Sequence, residues 1–265
     1  MTPRIVACLK WVAHPGEPHD ERFAGMSPAD QAALELALLH GEAYETGITA
    51  ITVGPPGADK VLRDALAAGA RRVVRIDAPT NVLSSDVAAA IAATLPDATW
   101  VWCGDYSLDR GTGSVPAFLA AQLGARQALG VIDVSFGGDV VNATRRLDGG
   151  RREMLHVTAP AVVSVEGATA HLRRAGLGAL RAAGRTPIDV VSPSTPIDVE
   201  HAVVRPYRPR ARALSAPAGQ SALDRLRVLT DSSTASAVRG ETVELEPAAA
   251  AARIVSALRD WGYLS

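Results

Sequence analysis

The sequence has little of the features that mark secreted, membrane and disulfide-rich proteins. Its 265 residues contain two cysteines, Cys8 and Cys103, which are too few for a disulfide framework. No run of about 18 apolar residues is free of charges, so we expect no direct membrane insertion. The five apolar residues 5–9 are too few for the core of a secretory signal. Together these absences predict a cytoplasmic protein.

An excess of charge is also missing. The formal net charge is −1, from 27 basic and 28 acidic residues, whereas a nucleic-acid-binding domain carries a strong basic excess. We therefore expect no nucleic acid partner. Lys10 and Lys60 are the only lysines, and all other basic residues are arginines. This bias, together with the many alanines, indicates a GC-rich genome rather than a function.

The residue sets of familiar catalytic and metal centres are absent from the sequence. No CxxC motif or Cys/His cluster offers four zinc ligands, and none of the six histidines lies four residues from another. No Ser-His-Asp or Cys-His arrangement is apparent. We therefore expect no metal site and no catalytic residues for bond chemistry, so the protein is predicted not to be an enzyme.

Over its first 125 residues, the sequence alternates between apolar runs typical of strands and apolar patterns with the period of a helix. Apolar runs typical of buried strands lie at 4–10, 47–53, 72–76 and 99–103. Between them lie helical patterns, the first of which opens at Ser27-Pro28-Ala29-Asp30, with a capping serine and a first-turn proline. Strands alternating with helices predict an α/β fold with a doubly wound, mostly parallel sheet. We expect a Rossmann-like sheet of the adenine-nucleotide α-hydrolase type.

After residue 125 the pattern changes to short strands separated by glycine turns. Strands at 131–136 and 139–145 are joined by Gly137-Gly138, and a third at 151–157 follows Gly149-Gly150. Such turns predict an antiparallel hairpin insert, after which the strand at 161–165 can return to the main sheet. Residues 192–220 are rich in Pro, Ser, Ala and Arg and indicate an extended arm before a terminal helix. We therefore predict a nucleotide-binding domain over 1–190 and a C-terminal arm over 191–265.

The loop after the fourth predicted strand is the best candidate for ligand binding. In an open α/β sheet, ligands bind beyond the carboxyl ends of the strands. Residues 104–113 run from such an end straight into a helix, and include Gly104, Asp109, Arg110, Gly111 and Thr112. Glycines admit an anion to the backbone, and a helix N-terminus offers free N–H groups. The loop therefore predicts a phosphate cradle, with an ordinary strand–turn–helix junction as the alternative.

Residues 143–164 carry the most specific pattern in the chain. They form a charged hairpin tip with Asp148-Gly149-Gly150 and Glu153, followed by the apolar run Pro160-Ala161-Val162-Val163-Ser164. This stretch resembles the signature of the electron transfer flavoprotein β subunit family, which includes nitrogen-fixation-associated relatives. Further landmarks of that family follow in the right order: Lys10-Trp11-Val12, Met26-Ser27-Pro28, Val53-Gly54-Pro55 and Asp109-Arg110-Gly111-Thr112-Gly113.

The resemblance implies an electron carrier subunit in a heterodimer with an α subunit, which holds most of the FAD. The implied donor is a flavin-dependent dehydrogenase, and the implied acceptor is of the electron transfer flavoprotein–quinone oxidoreductase type. The β subunit of the family binds AMP, or a second FAD in the same place. The AMP contacts carried over are Cys8, Ser27, Pro28, Ala29, Asp30, Val53 and the loop from Gly104 to Thr112. The Gly111 and Thr112 amides would hold the phosphate, and Asp109 would shape the loop.

The resemblance also implies a segment that docks onto the dehydrogenase. It corresponds to residues 173–181, with Leu177 as the apolar anchor and Arg173 on its rim. Two departures from the family stand out. His14-Pro15 replaces a common aspartate and its neighbour in a region that approaches the flavin, and residues 172–174 replace Pro-Arg-Tyr. We therefore expect an unusual dehydrogenase donor.

Two other functions remain open on the sequence. One is a stand-alone adenine-nucleotide-binding sensor of the same fold. The other is a hydrolase or ligase on that fold, although its Ser-Gly-Gly-x-Asp pyrophosphate loop is missing.

Overall fold

A computed structural model describes residues 4–13, 22, 24–194, 197, 221–223, 225–226 and 243–264. They fall into two compact units, Met1–Val204 and Arg205–Ser265. The predicted boundary at residue 190 stays a prediction, because most of the predicted arm lies outside the described residues.

The first unit begins with strands and helices in strict alternation. They are β1 (Ile5–Cys8), α1 (Pro28–Ala43), β2 (Thr49–Gly54), α2 (Asp59–Ala68), β3 (Arg72–Asp77), α3 (Ser84–Thr94), β4 (Trp100–Gly104) and α4 (Val115–Leu123). The later elements are β5 (Arg126–Gly137), β6 (Val140–Arg146), β7 (Arg152–Thr158), β8 (Ala161–Val165), α5 (Leu177–Arg185) and β9 (Asp189–Val191). In the second unit, helix α6 spans Pro247–Asp260.

One nine-stranded sheet has the order β7-β6-β5-β8-β4-β1-β2-β3-β9. Neighbouring strands are parallel, except that β6 is antiparallel to both β5 and β7. This confirms the predicted α/β class with an antiparallel insert. Strand β1 lies between β2 and β4, so the order of the strands proceeds from β1 towards both edges of the sheet. The border between β1 and β4 is therefore the switch point, where sheets of this kind bind ligands.

Local sequence signals account for the ends of the first helices. The Ser27 hydroxyl accepts the N–H of Asp30 at 3.0 Å, which caps α1, and Pro28 occupies the first turn. Helix α2 ends at Gly69, whose φ is +126°. Helix α4 begins at Val115, two residues later than the pattern predicts, because Gly113 has a φ of +56° that a helix does not admit.

Strand β5 joins the parallel and antiparallel parts of the sheet. Its first residues pair with β8, and its later residues pair with β6. The strand is irregular at Gly130, which has a φ of +67° and donates its N–H to the Ser164 hydroxyl at 3.0 Å. The pattern predicts a strand from 131, whereas the structure starts it at Arg126, since alternation is weak before the irregularity.

The core has two layers, one on each face of the sheet. Trp100 and Trp102 of β4 lie in the layer under α1 and α2, while Val101 and Cys103 lie in the layer under α3 and α4. Successive strand residues point to opposite faces, so a strand covered on both sides is apolar throughout. None of the helices in the described ranges is long and apolar enough to cross a membrane.

Candidate functional site

An open cleft lies at the switch point, beyond the carboxyl ends of β1 and β4. Its open space amounts to about 820 Å³, a figure that includes bulk solvent at its mouth. Six of the residues predicted from the sequence line it: Cys8, Asp30, Val53, Gly104, Arg110 and Thr112. These residues come from β1, β2, β4 and α1 and from the loop before α4, so the fold brings distant segments to one place.

One wall of the cleft was not predicted from the sequence. It is formed by the loop after β3 and the first turns of α3, with Pro79, Thr80, Val82, Ser84, Val87 and Ile91. A signal for it exists, because this loop follows a parallel strand and therefore opens at the same edge of the sheet. Lys10, Tyr106 and Ser107 also line the cleft. Tyr106 and Ser107 belong to the predicted loop from Gly104 to Thr112, and Lys10 belongs to a motif noted in the sequence.

The remaining predicted contacts are not among the residues that line the cleft. Ser27, Pro28 and Ala29 form the cap and first turn of α1, and Ser27 and Ala29 are fully buried. Asp109 binds Lys10, and Gly111 closes a turn. Their assignment as nucleotide contacts stays a prediction, and the contacts seen here are structural.

Asp30 is the buried carboxyl group at the floor of the cleft. It accepts the backbone N–H of Lys10 at 3.3 Å, which ties the end of β1 to the start of α1. Burial raises the pKa of Asp30 to about 7, against the opposing effect of hydrogen bonds from Lys10 and Ser27. Near neutral pH this group therefore exchanges between its neutral and charged forms.

The N-terminus of α4 faces the cleft without a side-chain cap. Thr112, Gly113, Ser114 and Val115 line the cleft there, and their N–H groups have no hydrogen-bond acceptor among the described residues. Four adjacent free donors at a helix N-terminus form an anion-binding arrangement. The structure thus shows a row of free amides at this helix start, and their role as a phosphate cradle stays a prediction.

The Gly111 amide requires a correction to the predicted cradle. Its N–H donates to the Ser107 carbonyl oxygen at 2.9 Å, so it closes a turn instead of pointing to a ligand. Holding a phosphate through Gly111 would break that turn. The structure shifts the candidate donors forward along the chain, to residues 112–115.

Two basic side chains at the cleft already have partners. The Lys10 ammonium group lies 2.7 Å from both carboxylate oxygens of Asp109 and 3.4 Å from the Ser107 hydroxyl. One guanidinium N–H of Arg110 donates to the Val82 carbonyl oxygen at 2.7 Å. Arg110 therefore crosses from the loop after β4 to the segment before α3.

Cys8 and Cys103 form part of the apolar floor. They are register partners on the neighbouring strands β1 and β4, and both are buried. A hydrogen bond with Cys8, together with burial, raises the pKa of the Cys103 thiol well above its usual value. A protonated, buried thiol is chemically inert, so Cys103 has a packing role here.

The predicted docking residues lie away from the cleft, near α5. Leu177, the first residue of that helix, is 66% exposed. The Arg173 guanidinium instead binds Glu35 at 2.9 Å and also pairs with Glu42, both on α1. Arg173 therefore anchors the segment before α5 to α1. His14 and Pro15, where the sequence departs from the family, lie outside the described residues.

Comparison with known proteins shows which protein family the sequence matches. Residues 20–196 match a family model described as the electron transfer flavoprotein domain. The chain is 33% identical over 171 residues to protein FixA of Bradyrhizobium diazoefficiens, a match that covers 60% of this chain and 59% of that protein. It is 30% identical over 176 residues to the electron transfer flavoprotein subunit beta of Clostridium acetobutylicum, which covers 60% and 67%.

A third relative carries an electron-transfer name within a larger assembly. The acryloyl-CoA reductase electron transfer subunit gamma of Anaerotignum propionicum is 30% identical over 146 residues, covering 52% of this chain and 54% of the relative. The chain thus spans about three fifths of the length of the FixA proteins that it matches and about half of this subunit.

Proposed function

The chain belongs to the electron transfer flavoprotein family, and we propose that it is the β-type subunit of a heterodimeric electron carrier. In this proposal an adenine nucleotide, AMP, binds in the cleft between β1 and β4. An α subunit holds most of the FAD, and the two chains together pass electrons from a dehydrogenase to a quinone-linked acceptor. Relatives named as electron transfer subunits at 30–32% identity support the carrier role.

The observation that carries the nucleotide proposal is the uncapped start of α4. Free N–H groups at Thr112–Val115 face a cleft at the switch point of a parallel sheet. A phosphate group satisfies such donors and interacts favourably with the positive end of the helix dipole. The apolar residues Val53, Val87 and Ile91 on the opposite side would contact an adenine ring.

The residues present fit AMP better than a highly charged nucleotide. Of the basic side chains lining the cleft, Lys10 is paired with the Asp109 carboxylate. Arg110 donates to the neutral Val82 carbonyl oxygen, so it supplies one uncompensated positive charge, which suits one phosphate better than two or three. A monophosphate requires less compensation, since the amides of residues 112–115 contribute partial charge. In the carrier, the bound flavin supplies the redox chemistry, and this chain supplies the nucleotide site and contact surface.

Exposed apolar side chains support the proposed partner contacts. Helix α6 and the residues after it expose Ile254, Trp261 and Tyr263, with Trp261 71% exposed. Patches of this kind mark protein interaction sites. We propose the α subunit as the partner of this helix, and the dehydrogenase as the partner of Leu177.

The test is to purify the chain co-expressed with its α subunit and to identify the nucleotides released on denaturation by chromatography. We expect a yellow heterodimer that releases one FAD and one AMP. Two FAD molecules would assign the cleft to a second flavin. A colourless single chain that binds ATP would overturn the carrier proposal in favour of a stand-alone sensor.

Ser114→Asp tests the cradle without weakening the helix. An aspartate at this capping position would itself accept the free amides and stabilise α4. It should therefore lower AMP content while the melting temperature stays constant or rises. Ser114→Asn is the matched control, because it caps without adding a negative charge. Unchanged AMP content in Ser114→Asp would contradict the phosphate assignment.

A further inference from the structure

We propose that Lys10 and Arg110 are positioning residues that hold the loop 106–113, here called the cleft loop, over the cleft. In this role they set how fast a nucleotide enters and leaves. The inference rests on the proposed function for its ligand, but the tether itself is a property of the chain alone. Neither side chain needs to contact the nucleotide for the effect.

The first tether joins the end of β1 to the middle of the cleft loop. Lys10 follows Cys8 by two residues, and its ammonium group reaches both oxygens of Asp109 at 2.7 Å, 99 residues along the chain. The same group lies 3.4 Å from the Ser107 hydroxyl. Burial raises the pKa of Asp109, but hydrogen bonds from Lys10 and Ser107 outweigh it and leave the pKa below its ordinary value. The carboxylate is thus charged and bound.

The second tether joins the cleft loop to the opposite wall. Arg110 donates to the Val82 carbonyl oxygen at 2.7 Å, and Val82 lies just before α3. Lys10, Val82 and Arg110 all line the cleft. The two tethers therefore anchor adjacent loop residues, 109 and 110, to two different segments around the cleft.

The cleft loop depends on these tethers because it has few other connections. Across the ranges that the structure describes, the hydrogen bonds that join residues 106–113 to segments distant in sequence all involve Lys10 or Arg110. The remaining bonds are local, such as Gly111 to Ser107. At its far end, a side chain on Gly113 would stand 2.0 Å from the Asp105 carbonyl oxygen, so only glycine fits there. The loop is thus fixed at its ends and tied twice in its middle.

The position of the cleft loop determines the position of the amides that begin α4. Because Thr112 and Gly113 belong both to the loop and to the proposed cradle, movement of the loop would displace two of the four free donors. Releasing the tethers should therefore open the turn closed by Gly111 and Ser107 and speed nucleotide dissociation. Binding affinity should fall to a similar extent, since the donors lose their fixed positions.

The experiment compares Lys10→Met, Arg110→Met and the double variant in the full chain. Amide hydrogen exchange of Arg110 and Gly111, whose N–H groups are hydrogen-bonded within the loop, reads the tether directly in nucleotide-free protein. Stopped-flow displacement of a fluorescent AMP analogue reads the dissociation rate. We expect each single variant to raise both rates about fivefold, as loss of a partly exposed ion pair (Lys10) or of one hydrogen bond (Arg110) permits, and the double variant to raise them further. Rates within twofold of wild type in the double variant would overturn the proposal.

Matched variants distinguish the effect of losing a tether from a general destabilisation of the folded chain. Lys60→Met removes the other lysine, which donates to the Ala24 carbonyl oxygen at 2.6 Å, and should leave the loop rates unchanged. Lys10→Arg should restore most of the slow exchange, because it keeps the charge. If the melting temperature of Lys10→Met is well below that of Lys60→Met, Asp109→Asn is used instead, because it removes the other partner of the Lys10–Asp109 ion pair.

The two readouts distinguish failure of this inference from failure of the proposed function. A wild-type chain that binds no AMP overturns the nucleotide site, and with it the kinetic half of the inference. The exchange comparison still decides whether Lys10 and Arg110 hold the loop. A chain that binds AMP but shows no change in any variant supports the nucleotide site and overturns the tether.

Discussion

Gly104, at the end of β4, lies directly against Asp30 in the first turn of α1. A methyl group on Gly104 would stand 2.7 Å from the Asp30 carboxylate oxygen and 2.9 Å from its backbone nitrogen. These distances are shorter than van der Waals contact, so the two elements approach as closely as they do because residue 104 has no side chain. The contact places the buried carboxyl group at the floor of the cleft and fixes α1 relative to β4.

Gly104→Ala is therefore expected to destabilise the chain by about 2 kcal/mol, the usual cost of overpacking a rigid site. The atoms in the way belong to a capped helix turn and cannot rotate aside. Chemical denaturation measures the free energy of unfolding, and chromatography of released nucleotide measures AMP content, which should fall as well.

Gly184→Ala is the control for that substitution. Gly184 lies in α5, and an added methyl group there meets no atom within 4 Å. Alanine should stabilise this helix by up to about 1 kcal/mol. Equal effects of the two substitutions would show that the approach of Gly104 to Asp30 does not determine the stability.

Asp30 should make stability fall as the pH rises. Its pKa is about 7 in the folded chain against an ordinary value of 3.8, so the folded state binds more protons between these values. The stabilisation is complete below pH 3.8 and is lost as the pH approaches 7, amounting to about 4 kcal/mol in total. Asp30→Asn removes this dependence, because the amide stays neutral and keeps an oxygen acceptor.

Urea denaturation at intervals from pH 4 to 8 measures the effect as the difference between Asp30→Asn and wild type. We expect the variant to gain stability relative to wild type with increasing pH, up to about pH 7, and then to level off. Asp148→Asn serves as a control, because that side chain is exposed and lies away from the cleft. A difference that does not change with pH would contradict the assignment of the raised pKa to Asp30.

His40 should produce the opposite slope. It is fully buried among Tyr44, Trp100, Trp102 and Phe136, and its Nδ1 accepts the Trp102 indole N–H at 3.1 Å. Burial lowers its pKa from 6.5 to about 4. Between these values the unfolded chain binds the proton and the folded chain does not, so stability rises with pH by about 3 kcal/mol.

The His40 slope can be measured with His40→Gln, whose amide oxygen can accept from Trp102. Relative to wild type, this variant should gain stability as the pH falls from 6.5 to 4. Because the Asp30 and His40 effects nearly cancel over that interval, the wild-type profile should be flatter than that of either variant. His156→Gln, on the exposed side of β7, should show no such difference. Parallel profiles for His40→Gln and wild type would refute the lowered pKa.

The sequence predicted the parts of this fold that depend on local chemistry. Period alternation indicated the parallel sheet, Ser27 and Pro28 indicated the start of α1, and the glycine pairs indicated the antiparallel insert. These signals lie within a few residues of the structure that they specify. The three-residue strand β9 has no comparable signal, because its pairing with β3 is decided by contacts made elsewhere.

In the candidate site, too, the features specified by nearby residues were predicted and those that depend on distant contacts were not. The strand-end rule located the loop after β4, but it could not say which amides remain free. That outcome depends on the turn that Gly111 makes with Ser107, and on side chains that meet across the fold. Lys10 and Asp109 are 99 residues apart, and no periodicity links them. Pairings of this kind follow from the assembled sheet and not from the local pattern.

Arg173 provides the last prediction, because its contacts indicate a structural role for a residue first selected for docking. Its backbone N–H and guanidinium group both donate to the largely buried Glu35 carboxylate, at 3.0 and 2.9 Å, and the guanidinium group also pairs with Glu42. Arg173→Met leaves that carboxylate with the backbone N–H but without its charged partner. The free energy of unfolding should fall by about 2 kcal/mol, as expected for a charge-assisted hydrogen-bond pair.

Two neighbouring substitutions separate stability from docking. Arg174→Met changes an exposed arginine one residue away and should alter the free energy of unfolding by less than about 0.5 kcal/mol. Leu177→Ala should be equally mild for stability, since this side chain is 66% exposed, yet it should weaken transfer of electrons from the proposed dehydrogenase partner. If Arg173→Met leaves stability unchanged while slowing that transfer as much as Leu177→Ala does, Arg173 acts at the docking surface instead of anchoring the segment before α5. We expect the reverse, because the guanidinium group is already committed to the glutamates of α1.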